Sequence, residues 1–233
     1  MASMKKSFCE VLVDNFTEYC GKTYGYEKYP NQDHVSCQSI VDACLETKPD
    51  YVLDIGTNFG ASTLSLAFGL KSLGKSLSSL TVIDYSLKHW REETQLVQKQ
   101  LMAEHGINAN AIREVCADFQ TLNPKDFVMD GKALVFYDIH DTLKHSFMTD
   151  FIDRWIPLFS SGSRIMVHDF SAVPDDFVSP YKPDPKNPRS RLKHFSGVTF
   201  EGFMEVEILV RWLNKMVKQV HGVPDTSVMR FDL

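Results

Sequence analysis

No apolar run in the 233 residues approaches the roughly 18 that would suggest a membrane span. The first twenty residues, MASMKKSFCEVLVDNFTEYC, carry two lysines but no continuous apolar segment and no small-residue cleavage site, so they do not read as an export signal. Phe8, Val11, Leu12, Phe16 and Tyr19 recur there at helical spacing, which predicts an amphipathic helix. A cytoplasmic protein with no membrane partner is expected. Cysteine is sparse: Cys9, Cys20, Cys37, Cys44 and Cys116 are odd in number, widely spaced and contain no Cys-x-x-Cys. That pattern argues against a disulfide framework or a cysteine zinc site and predicts free thiols. Positive charge is short as well. A net charge of −5 lacks the clustered excess of Lys and Arg that a nucleic-acid surface needs, so a small-molecule partner is favoured.

What is present is apolar material, 43% of the chain, in a regular order. Residues 38–47, with Ile40, Val41, Cys44 and Leu45 at helical spacing, precede an apolar strand, YVLDIG (51–56). Helical 61–74, strand 80–84, helical 87–106 stopped by Gly106, and strand 112–118 follow. Then come the continuously apolar strand ALVFYD (133–138), helical 142–159, and strand SRIMVHD (163–169). Strands alternating with helices predict βαβ units. The expected fold is α/β: a Rossmann-like, doubly wound, mostly parallel seven-stranded sheet with helices on both faces. One domain is expected, with a helical cap over 1–37, a core over 38–170, a lid over 171–202, and a helix (203–220) and last strand closing the chain. Residues 171–197 hold five prolines and the cluster Lys186, Arg189, Arg191, Lys193 and His194. They read as a solvated loop, or as a flap whose Arg189, Arg191 or Lys193 pairs an anionic acceptor. The N-terminal and 203–220 helices are the candidate faces for a homo-oligomer.

In parallel sheets, ligands bind beyond the carboxyl ends of the strands. Asp54, Asp84, Asp118, Asp138 and the pair His168–Asp169 fall at the ends of the five core strands. Capping of the following helix is the alternative for any one of them. The turn LDIGTNFGAST carries Gly56 and Gly60, but Asn58 stands where a dinucleotide-binding turn needs glycine, and no Gly-Lys-Ser/Thr follows. Its amide groups at a helix start suit a carboxylate, while Asp54 suits an ammonium or sulfonium. A zwitterionic sulfonium ligand matches that pairing.

These residues resemble the class I S-adenosylmethionine-dependent methyltransferases over about residues 38–170. LDIGTNFGAS is similar to their first motif, which assigns Asp54, Gly56, Thr57, Asn58, Gly60 and Ser62 to the cofactor. Asp84, with Tyr85 and Ser86, stands where the family holds the ribose. Asp118, with Phe119, stands where it contacts the adenine amino group, and Asp138 also falls at the cofactor edge. The stretch 133–170 resembles the small metal-dependent O-methyltransferases, the macrocin-type and cephalosporin-hydroxylase-like proteins. That resemblance implies a divalent cation (Mg, Mn or Fe) on Asp138, His168 and Asp169.

Two converging carboxylates would repel unless a proton or cation intervened, and a metal would lower the pKa of an acceptor hydroxyl. The chain departs from the family pattern at Ile139, in place of glycine, and in the order His140–Asp141, reversed from Asp-His. His140 reads as a general base with Asp141 orienting its ring, or as a neighbour of a helix start that Asp141 caps. His168 reads as a metal ligand or as a hydrogen-bonded partner of the lid. His34 is a further candidate near the cofactor's amino-acid end, whereas Trp90, Trp155 and Trp212 read as core and His145 as surface. The expected activity is metal-assisted O-methylation of a small anionic or polyhydroxylated metabolite. A non-haem iron oxygenase on the same scaffold and a non-catalytic S-adenosylmethionine-binding protein are the alternatives.

Overall fold

A capping box starts the first helix: Ser7 Oγ accepts from the Glu10 amide at 3.3 Å and Glu10 Oε2 accepts from the Ser7 amide at 2.7 Å. The computed structural model describes residues 6–25, 33–139, 147–168, 220–222 and 229–233. Helix α1 (Phe8–Tyr24) buries Phe8, Cys9, Leu12, Phe16 and Cys20 on one face and stops at Gly25. Helix α2 (His34–Thr47) begins four residues earlier than its apolar periodicity suggests, because Asp33 caps it through the Ser36 amide. The same cap puts His34 on the exposed first turn of α2.

The core continues through β1 (Tyr51–Ile55), α3 (Ala61–Ser72) and β2 (Leu80–Asp84). Residues 89–104 do not form one uninterrupted helix. A π-helix (His89–Thr94) leads into the short helices α4 (Gln95–Val97) and α5 (Lys99–Glu104). Strands β3 (Arg113–Cys116) and β4 (Ala133–Tyr137) follow, then α6 (Phe147–Asp150), a second π-turn (Phe151–Trp155) and β5 (Arg164–Val167). Two short strands, β6 (Val220–Gly222) and β7 (Met229–Asp232), complete the elements. Val220 thus opens a strand rather than ending a helix. The rest of that expected helix, the 171–202 segment, His145 and Trp212 lie outside the described residues.

The sheet runs in the order β3-β2-β1-β4-β5-β7-β6. β1 to β5 pair in parallel, whereas β7 lies antiparallel to β5 and β6 antiparallel to β7. The fold is therefore α/β and Rossmann-like, a mostly parallel sheet flanked by helices. Every residue of β1, β2, β4 and β5 is buried, as expected for strands covered on both faces. Alternate residues feed two cores. Val52, Leu80, Val82, Leu134 and Phe136 pack beneath α1, α2 and α3. Tyr51, Leu53, Ile55, Val135 and Tyr137 pack against Phe119, Phe151 and Trp155 on the other side. Trp90 and Trp155 are fully buried, in keeping with their reading as core.

Two polar contacts tie distant segments together. Buried Gln98 donates to the Leu12 carbonyl at 3.0 Å and accepts from Asn15 at 2.9 Å, which pins α1 to the domain. Arg164 reaches Asp232 on β7 through Nε at 2.7 Å and Glu46 on α2 through Nη1 at 2.8 Å. Among the described residues no helix is long and apolar enough to cross a membrane.

All five cysteines are free thiols, four of them buried and Cys116 exposed. Burial pushes the Cys9, Cys37 and Cys44 thiols up to about 12, so little reactive thiolate forms there at neutral pH. A thiol-titrating reagent is expected to modify one cysteine rapidly in the native protein and the other four as it unfolds. Two or more fast thiols would contradict this packing.

Candidate functional site

The strand order reverses between β1 and β4, and a parallel sheet opens a crevice at such a switch point. Ile55 lies opposite Tyr137, so the chain leaves both strands side by side, with the Asp138 amide donating to the Ile55 carbonyl at 2.8 Å. Gly56 turns at φ +89°, and a Cβ there would lie 2.3 Å from the Asp138 carbonyl oxygen. Glycine is required on both counts. Asn58 also sits in the left-handed region, at φ +47°, which asparagine tolerates better than most residues. Gly60, at φ +78°, lies against the Trp90 ring and starts α3 without a side-chain cap. The first amides of α3 and the positive end of its dipole therefore have no side chain of their own to satisfy them.

The acids divide by environment. Asp54 is not at a strand terminus: it lies within β1 and is fully buried. Its Oδ2 accepts from Ser62 Oγ at 3.0 Å and from Thr63 Oγ1, and Thr63 is hydrogen-bonded in turn to Thr57. No partner for its Oδ1 is found among the described residues. Burial, opposed by these hydroxyls and reinforced by the charge of Asp138, pushes the Asp54 carboxyl up to about 7. Asp84 ends β2 and accepts two backbone amides, from Asn58 at Oδ2 and Ser86 at Oδ1, each at 3.0 Å. It joins the glycine turn to the next loop and still has lone pairs for a ligand hydroxyl. Tyr85 beside it is 83% exposed. Asp118 is exposed and caps a short 3-10 turn through the Gln120 amide, so the capping alternative describes its local role. Phe119 points inward and stacks on Trp155 with ring centroids 4.8 Å apart.

Asp138 and His168 stand at the ends of the adjacent strands β4 and β5. His168 Nδ1 lies 3.2 Å from Asp138 Oδ1, and the imidazole is buried. The expected divalent cation (Mg, Mn or Fe) has to be corrected here. Among the described residues no group of three His, Cys, Asp or Glu side chains comes together to hold an ion. The pair spends part of its donor set on an internal hydrogen bond, and among the described residues no third ligand joins it. The iron-oxygenase alternative needs a group of the same kind, and none is found for it among the described residues. Asp169, His140 and Asp141 lie outside the described residues.

Thr63 was not among the residues singled out from the sequence, although ASTLS places two adjacent hydroxyls at the helix start above Asp54. The set Phe59, His89 and Glu93 was also missed, because no sequence signal links a turn aromatic to a π-helix thirty residues on.

A protein-family model described as a methyltransferase domain matches residues 53–170. No curated protein matches the chain. Among solved structures, the O-methyltransferase TomG from Streptomyces achromogenes, involved in tomaymycin synthesis and bound to SAM, is similar at TM-score 0.59 and 15% identity. The match covers 100% of this chain and 92% of that one. The SAH-bound O-methyltransferase from Bacillus cereus gives 0.58 and 13%, covering 100% and 94%. The SAH-bound methyltransferase from Podospora anserina gives 0.57 and 14%, covering 96% and 87%. At these identities the likeness is one of fold.

The unfolded chain ionises Asp54 near its ordinary value of 3.8, whereas the native protein does so near about 7. Between those values the native state binds more protons, so this group's contribution to stability falls as pH rises. Asp54→Asn is expected to remove that slope. The thermal midpoint of wild type relative to the variant should drop as pH rises from about 4 to about 7. Parallel profiles would mean that burial does not penalise the charge.

Proposed function

The chain belongs to the methyltransferase-domain family and is a class I S-adenosylmethionine-dependent methyltransferase; on that premise we propose that it methylates a hydroxyl oxygen of a small molecule. The observation that carries this reading is the uncapped start of α3 beside buried Asp54 and backbone-bound Asp84.

The residues present fit the cofactor. Asp54 has an oxygen without a partner among the described residues, and it lies under amides that favour a carboxylate. We assign the amino-acid end to Asp54, Gly56, Thr57, Asn58, Gly60 and Ser62, with Ser62 and Thr57 acting through the hydroxyl network around Asp54. Asp84 holds the ribose hydroxyls, flanked by Tyr85 and Ser86. Asp118 serves the adenine end, with Phe119 anchoring that loop in the core. When bound, the cofactor supplies an electrophilic methyl group on a sulfonium.

The chain's remaining task is to orient an acceptor oxygen in line with that methyl and take up its proton. Two imidazoles belong to this edge by sequence. His140, with Asp141 orienting it, is one candidate base. His168 is the other, favoured by the Asp138 carboxylate at its Nδ1, which keeps a proton on that nitrogen and gives Nε2 the acceptor role. TomG and the Bacillus cereus protein are O-methyltransferases, which supports an oxygen acceptor. The 171–202 segment, with its basic cluster, is proposed to select an anionic or polyhydroxylated metabolite.

Isothermal titration with S-adenosylhomocysteine is expected to show one site per chain. Asp84→Ala should weaken it about tenfold or more, the loss of a charged hydrogen bond. No binding to the wild type ends the reading. Labelled-methyl transfer to a panel of small hydroxylated acceptors then separates the bases. The variant that removes the true base, His168→Ala or His140→Ala, should lose roughly 10²–10⁴ in turnover while S-adenosylhomocysteine still binds.

A further inference from the structure

Glu93, on the π-helix, gathers donors from two separate elements. Its Oε2 accepts from Tyr19 at 2.9 Å and Tyr24 at 2.8 Å, both on α1, and its Oε1 lies 2.7 Å from His89 Nδ1. Three hydrogen bonds on one carboxylate whose side chain is 14% exposed make it a junction rather than a surface charge. The His89 ring it holds stacks on Phe59, with centroids 4.5 Å apart and 25° between planes. Tyr24 and Phe16 meet the same Phe59 ring edge-on, at 6.3 and 6.5 Å.

Phe59 lies between the two glycines of the 56–60 turn. The π-helix grips that turn at two further points. The Thr94 hydroxyl donates to the Phe59 carbonyl, and Trp90 fills the space a Cβ at Gly60 would need, 2.5 Å from the ring. The opposite side of the turn is fastened by the Asn58 amide on Asp84. The turn is therefore clamped between an acid at the strand edge and an aromatic stack that Glu93 assembles. π-Turns of this kind recur at functional sites, where the wider backbone re-aims side chains.

We infer that Glu93 is a positioning residue for the cofactor: it sets the 56–60 turn through His89 and Phe59 and docks the end of α1 against it. The inference rests on the reading above that this turn holds S-adenosylmethionine. Glu93 itself is assigned no contact with the cofactor or acceptor. Its loss acts on affinity through the shape of the turn, so it raises KM for the cofactor more than it lowers kcat.

The experiment compares Glu93→Ala, Glu93→Gln and Gln98→Ala in the full chain. Gln98→Ala removes two hydrogen bonds to the middle of α1 but leaves the Tyr19, Tyr24 and Phe16 contacts in place, and so controls for loss of stability alone. Hydrogen exchange of the 57–60 amides, which needs no ligand, is expected to quicken in Glu93→Ala and to stay near wild type in Gln98→Ala. Titration with S-adenosylhomocysteine should weaken about tenfold in Glu93→Ala, equivalent to ~1.4 kcal/mol. Glu93→Gln keeps an acceptor oxygen and should recover most of that loss. Unchanged exchange at 57–60 in Glu93→Ala overturns the inference, whatever the ligand does. Equal weakening by Gln98→Ala overturns it as well, since α1 docking alone would then account for the effect. Wild-type protein that fails to bind, with the exchange pattern as expected, refutes the cofactor reading and leaves the clamp intact.

Discussion

The contact on which the site depends is the approach of Gly56 to the Asp138 carbonyl. A single added carbon would sit 2.3 Å from that oxygen, so the first and fourth strands could not leave the sheet side by side with any other residue there. Because they do, the turn enters the crevice at the switch point, α3 starts above it, and Asp138 comes next to the same edge. The Gly56 amide is satisfied by the Ile83 carbonyl and the Asp138 amide by Ile55, so the backbone there stays paired while it changes direction.

Asp54 shows why position within a strand matters as much as position along the sequence. Read as a strand-end acid, it would be a solvated charge awaiting a cation. One residue further in, it is sealed between the helix start and the sheet, and burial lifts its pKa toward neutrality. Ser62 and Thr63 donate to it from the first turn of α3, so the carboxylate also holds that helix on the sheet. Folding and ligand recognition then share one group, and a change there acts on both.

The alternation of strands and helices was legible because periodicity is local: each of β1, β2, β4 and β5 is a short apolar run bounded by turn residues. The glycine turn was legible for a related reason, since left-handed backbone selects glycine and asparagine by type. The metal was not. It followed from residues that a family pattern aligns, whereas the structure pairs His168 with Asp138 and gathers no third ligand among the described residues. Residue type announces what a side chain can bind, and its neighbours decide what it does bind. The break of residues 89–104 into a π-helix and two short helices escaped prediction too, because apolar spacing cannot register one extra residue in a turn.

What the sequence by itself determined is the α/β class, the succession of the core strands along the chain, the free thiols and the glycine turn with asparagine at its middle. Each depends on contacts within a few residues or on composition. What only the tertiary structure decided is the burial of Asp54, the Asp138–His168 pair and the Glu93 junction between α1, the π-helix and the glycine turn. These join residues 30, 35 or 74 positions apart, and their energies exist only once the sheet has brought them together.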